Sequence, residues 1–210
     1  MIYRTLIICI SSLLPFGISY AHAHKKVQTK EPGFYAGATL GYAEPTSFKN
    51  NARLRNEHGS ANYGVLVGAH LQDWLRTGIE VTHRHKQKIS GDITSNTIGT
   101  LSLSDTTTFL NGYFMIPQKG PYLLAGLGVA SQKFGDFKDE TGVLNKGKTT
   151  SNFAYQVGVG FTTDYKCMSF DAEAKYADKG KAKTRADDSG RIIKADTKDL
   201  ILSISVRHNF

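Results

Sequence analysis

From residue 33 onward, apolar and polar residues alternate in short bursts. Eight segments carry this period of two, at roughly 33–43, 62–72, 75–85, 105–116, 121–131, 152–162, 168–177 and 199–210, and none has proline in its interior. Successive side chains of a strand point to opposite faces, so each burst predicts a strand with one apolar and one polar side. The connections alternate in length. Short ones, "DW", "PQKG" and "TDYKC", follow the second, fourth and sixth segments; long ones fall near 44–61, 86–104, 132–151 and 178–198. Short turns at one end and long loops at the other predict an up-and-down antiparallel meander, with both ends on the short-turn side.

Parity then sorts the two faces. One face carries Phe34, Leu40, Tyr42, Val65, Val67, Leu110, Leu123, Phe153, Val159, Phe161, Phe170 and their neighbours, with no Lys, Arg, Asp or Glu. The other carries Arg76, Glu80, Arg84, Asp171, Glu173, Lys175 and Arg207, together with nine strand glycines. Glycine weakens a strand unless something large passes close by, which suits the interior of a narrow barrel. A lipocalin-like soluble barrel reverses the sides, but a solvent face rich in glycine and poor in lysine argues against it. Segments of ~9–11 residues tilted by ~45° span a bilayer, and one lipid-facing Lys or Arg at mid-depth costs ~2–4 kcal/mol. The prediction is an all-β fold: an eight-stranded antiparallel up-and-down transmembrane β-barrel.

The N-terminus adds a destination. Arg4, the short apolar stretch "LIICISSLLPFGIS" and Ala21-His22-Ala23 have the form of a cleaved secretory signal. We therefore expect residues 1–23 as signal peptide, 24–32 as a short periplasmic segment and 33–210 as the barrel domain. Only Cys167 then remains, so no intramolecular disulfide is expected. Mean hydropathy is −0.30, which does not exclude a barrel because alternating strands give a weak signal. A net charge of +8 points to acidic partners.

The last strand, "LILSISVRHNF", resembles the C-terminal signal by which outer-membrane barrels are recognised for insertion, with Leu202, Ile204, Val206, His208 and Phe210 on its apolar side. "GFYAGATLGYA" and "FLNGYFMIPQKGPYLLAGLGVA" resemble strands of the small opacity-protein and OmpA/OmpX-like outer-membrane barrels. The resemblance implies an outer-membrane location in a Gram-negative-type envelope, contact with outer-membrane lipid and lipopolysaccharide, and engagement by the barrel-assembly machinery during biogenesis. It implies envelope or surface-contact roles and no shared catalytic chemistry. No appended peptidoglycan-binding domain is expected after Phe210.

Three constellations remain. The inward charges Arg76, Glu80, Arg84, Asp171, Glu173, Lys175 and Arg207 are expected to pair as a network that plugs the lumen, since buried charges need partners. His83 and His85 share a face but are too few for a metal site, and no metal or cofactor is expected. Lys179, Lys181, Lys183 and Arg185 recur at every second position, so a hairpin that protrudes as strand presents all four on one face to an acidic glycan or host surface, the alternative being a solvated loop balanced by Asp187 and Asp188. No interleaved aromatics accompany them, so nucleic acid is not expected. The functional expectation is a non-catalytic barrel with a structural or adhesin-like role. A narrow passive pore is the alternative, and a lipid A-modifying barrel enzyme comes third, for want of a Ser–His cluster.

Overall fold

The computed structural model describes residues 33–47, 53–56, 59–94, 97–116, 120–139, 142–185, 192 and 194–210. The expected signal peptide and the segment 24–32 lie outside the described residues. Eleven strands form one antiparallel sheet: β1 (Gly33–Ser47), β2 (Arg53–Asn56), β3 (Ser60–Gln72), β4 (Leu75–Thr94), β5 (Thr97–Met115), β6 (Pro121–Phe134), β7 (Phe137–Asp139), β8 (Gly142–Asn145), β9 (Thr149–Tyr165), β10 (Met168–Lys183) and β11 (Lys194–Asn209). Eight of them, β1, β3, β4, β5, β6, β9, β10 and β11, close into a barrel in chain order. The seam is β1 against β11, with Tyr35 opposite Asn209 and Tyr42 opposite Leu202. The short strands β2, β7 and β8 lie within the long connections, β2 against β4 and β7 against β5.

The strands run further than the alternation predicts at the long-loop end. Residues 86–104, expected as a loop, are mostly strand, because β4 continues to Thr94 and β5 starts at Thr97. The register slips between Arg84 and Gln87, so His85 and Lys86 together face one partner residue. Such a bulge shifts the inward–outward phase by one residue, which hides the continuing strand from a strict period of two. At the opposite end the turns are tight: Asp73–Trp74 links β3 to β4, and Lys166–Cys167, with Lys166 at φ 55°, links β9 to β10.

Burial is inverted relative to a soluble protein. Phe34 is 73% exposed and Phe153 67%, whereas Arg76, Arg84 and Arg207 are at most 2% exposed. Leu40, Val65, Leu110, Leu123, Val159 and Ile204 also face outward and form an apolar belt. Aromatic side chains gather at its two edges. Phe34, Trp74, Phe114, Phe161, Tyr165 and Phe210 lie toward the short turns, and Tyr42, Tyr63, Phe153 and Tyr155 toward the long loops. Aromatic girdles around an apolar band are what a bilayer selects on a barrel's exterior. Leu202, Ile204, Val206, His208 and Phe210 form one exterior row, and His208 meets Phe210 edge-on with ring centres 4.8 Å apart.

Candidate functional site

The lumen is where the charged side chains converge. Among the described residues it buries five cations, Arg76, Arg84, Lys175, Lys179 and Arg207, and five anions, Glu80, Asp105, Asp171, Glu173 and Asp199. They fall into three groups stacked along the barrel.

The group nearest the short turns is built on Asp171. Arg207 reaches across from β11 and donates Nε to Oδ2 at 2.6 Å and Nη2 to Oδ1 at 2.9 Å. Its Nη2 also donates to Thr162 Oγ1 at 3.1 Å. Arg76 approaches the same carboxylate from β4, Nη1 to Oδ1 at 3.6 Å. Its guanidinium lies 3.9 Å from the ring centre of Tyr113, with Tyr122 and Tyr35 at 5.1 and 5.5 Å. Aromatic faces attract a desolvated cation, so the tyrosines take over part of the stabilisation that water gives elsewhere.

The middle group centres on Lys175, whose Nζ lies 2.8 Å from Glu80 Oε1 and 2.9 Å from Glu173 Oε2. The second carboxylate oxygens are also used. Asn111 Nδ2 donates to Glu80 Oε2 at 2.9 Å and Tyr122 Oη to Glu173 Oε1 at 2.7 Å. Gln156 Nε2 bridges to Asn111 Oδ1 at 2.8 Å.

The group nearest the long loops is a square of alternating charge. Arg84 contacts Asp105 at 2.6 Å and Asp199 at 2.9 Å, and Lys179 contacts the same two carboxylates at 2.9 and 3.0 Å. Gln132 sits beside it, donating Nε2 to the Lys179 carbonyl at 3.1 Å and contacting Thr197.

An apolar layer of Ala43, Phe109, Ala130, Ala154, Ala177 and Ile201 separates this square from the middle group. Its place follows from strand parity: Ala177 is the inward residue between Lys175 and Lys179, and Ile201 the one between Ser203 and Asp199. The expected single network is therefore divided, and Arg84 belongs with partners other than Glu80. Asp105, Lys179 and Asp199 complete it, and the sequence reading did not assign them to the lumen.

Lys179 is the clearest correction. Parity alone puts it with Lys181, Lys183 and Arg185. In the structure Lys179 is buried, while Lys181, Lys183 and Arg185 are exposed. The cause is a bulge in β10. Asp178 pairs with Lys198 and Lys181 with Asp196, so Lys179 and Gly180 together oppose Thr197. Gly180 has φ +73°, a conformation that suits glycine, and the extra residue turns the chain by half a period.

Elsewhere, His83 Nδ1 is 3.0 Å from Thr106 Oγ1 and its ring stacks near Tyr63, and His70 Nε2 is 3.3 Å from Asn209 Oδ1. Among the described residues no three His, Cys, Asp or Glu side chains are grouped to hold a metal ion.

Solved structures with this architecture include the outer membrane protein OprG from Pseudomonas aeruginosa, 14% identical, covering 85% of this chain and 95% of that one with a TM-score of 0.56. The attachment invasion locus protein Ail of Yersinia pestis, solved with the heparin analogue sucrose octasulfate, is 13% identical over 83% of this chain and 98% of that one, with a TM-score of 0.47. At 14% identity the likeness to OprG concerns the fold alone. No curated protein matches the chain. The sequence model described as the outer membrane protein beta-barrel domain matches residues 11–207. The chain therefore belongs to the outer membrane protein beta-barrel family, which places it in the outer membrane.

Proposed function

We propose that the protein is a non-catalytic outer-membrane barrel with a sealed interior, whose working surface is its basic outer rim. The observation that carries this reading is the balance of charge. Among the described residues the ten buried lumen charges cancel, so they contribute nothing to the formal net charge of +8. Exposed Lys133, Lys146, Lys148, Lys181, Lys183, Lys194 and Arg185 cluster at the long-loop end. In this reading the long loops face the medium and both ends of the barrel chain face the periplasm, as in barrels with short periplasmic turns. The rim then meets acidic surfaces, such as lipopolysaccharide of neighbouring lipid or a host glycan.

An eight-stranded lumen is only wide enough for side chains, and here these are paired across it. Folded protein in a planar bilayer is expected to show no steady conductance above the lipid baseline. A stable, ion-selective current would overturn the sealed interior and put the passive pore first. Cells displaying the protein are expected to adhere to surfaces coated with acidic polysaccharide, less so as salt rises. Equal adhesion to neutral polysaccharide would remove the acidic-partner reading.

A further inference from the structure

At the outer rim three chain segments line an open cleft of about 600 Å³. The end of β6 supplies Lys133, the stretch before β9 supplies Lys148, and Arg185 follows β10. Among the described residues the sole carboxylate lining it is Asp136, which accepts a hydrogen bond from the Gly147 amide at 2.8 Å. Backbone bonds hold the walls together: Phe134 N to Lys148 O at 3.0 Å, Gly135 N to Ser102 O at 2.7 Å and Arg185 N to Lys146 O at 3.1 Å. Gly147 is required by close approach, because a Cβ there would come 2.3 Å from the Phe134 carbonyl oxygen. The cleft is thus tied by main chain, and its lining carries three cations against one anion.

We infer that this cleft binds a sugar bearing phosphate or sulfate esters. Its size falls within the ~300–1,000 Å³ typical of small-ligand sites. Lys133 and Lys148 bring point charges to the lining, and the guanidinium of Arg185 adds to the same positive field. Thr149 and Asp136 supply polar groups for sugar hydroxyls. Nucleic acid fits less well, because the one aromatic lining residue, Phe134, is 1% exposed and offers no stacking face. Height matters too. Lys133 opposite Thr149 lies four residues beyond the Val129–Phe153 pair at the belt's upper edge. At ~3.3 Å per residue and a tilt of ~40° that is roughly 10 Å above the apolar belt, at the level of glycolipid head-group sugars and open to the medium.

The inference rests on the acidic-partner reading above and narrows it to one site. The test titrates folded protein in detergent micelles with sulfated disaccharide, with purified lipopolysaccharide, and with lipopolysaccharide stripped of phosphate. Expected is saturable binding to the first or second, weakened at least tenfold by Lys133→Gln/Lys148→Gln and by Arg185→Gln, and unchanged by Lys166→Gln in the distant turn. Whichever of the two binds identifies the source of the ester, and binding to both supports the shared chemistry. Equal binding to the stripped lipid, or equal loss with Lys166→Gln, overturns the site. Adhesion that survives the cleft variants but falls with Lys181→Gln/Lys183→Gln also overturns it, while leaving the acidic-partner reading intact. Absence of both binding and adhesion overturns both.

Discussion

Arg207 and Asp171 meet through two hydrogen bonds, at 2.6 and 2.9 Å, on neighbouring strands of the lumen wall. Arg76 depends on the same carboxylate. Asp171→Asn therefore leaves two buried guanidinium groups with no carboxylate in contact. Losing one partner of a buried pair costs about 3–5 kcal/mol. Urea titration of the barrel in lipid vesicles should show a loss of that order, with Lys166→Gln as an unaffected control. Equal midpoints for Asp171→Asn and the parent would contradict the role given to this carboxylate.

Glu173→Gln tests the middle group. Lys175 then keeps Glu80 alone, while Tyr122 and Ser203 lose their charged acceptor. We expect lowered stability or brief current openings in planar bilayers. Lys183→Gln, at an exposed rim position, should produce neither. Equal effects from the two variants would place the lumen charges on a par with surface ones.

Phe210→Ser should reduce the amount of folded, heat-modifiable protein in the outer membrane. The ring is 78% exposed and the Phe210 amide donates to the Phe34 carbonyl at 2.9 Å, so the substitution removes the aromatic and leaves that backbone bond available. Parental levels of folded protein would argue against a terminal assembly signal.

Cys167 reports orientation. It is exposed, in the tight turn between β9 and β10. A membrane-impermeant maleimide should label it only after the outer membrane is permeabilised, whereas Asn145→Cys in β8 should label on intact cells. The reverse pattern would invert the topology. The loop position Ser189 and the turn position Lys119 lie outside the described residues.

Gly180→Val should cost about 1–3 kcal/mol, the usual range for a non-glycine residue held at unfavourable backbone angles. A Cβ there would also approach Asn152 Cβ at 2.9 Å. Lys181→Val, one position on and outward-facing, should cost little. The comparison by urea titration fails the bulge argument if the two are alike.

Much of this was legible because one period governs both the belt and the lumen. All seven inward charges named from parity face the interior, among them Arg84 at the far end of its run. Asp105 and Asp199 also have inward parity, but they sit at the first residues of their segments, where a strand reading tends to stop. Lys179 was obscured differently. Its spacing from Lys181 is that of one face, and only the left-handed Gly180 reveals that the face changes between them. Gly-Lys in that stretch was a signal for a bulge, but its meaning depends on the pairing with Thr197, a contact across strands. The rim cleft was less legible still, because Lys133, Lys148 and Arg185 come from separate segments with no shared spacing.

The β1–β11 seam has a consequence for how the molecule assembles. Thr39 Oγ1 donates to the Ile204 carbonyl at 3.3 Å across 165 positions of chain. The charge groups also draw on distant strands: β4, β10 and β11 for the first, and β4, β5, β10 and β11 for the square. The β4–β5 hairpin can pair Arg84 with Asp105, but the charged partners of Arg76 and Glu80 lie on β10, so a half-built sheet would carry bare ions at lipid depth. Such intermediates are strongly disfavoured. The barrel should form in one cooperative closure that waits for the final strand, and the high contact order makes that closure slow without help.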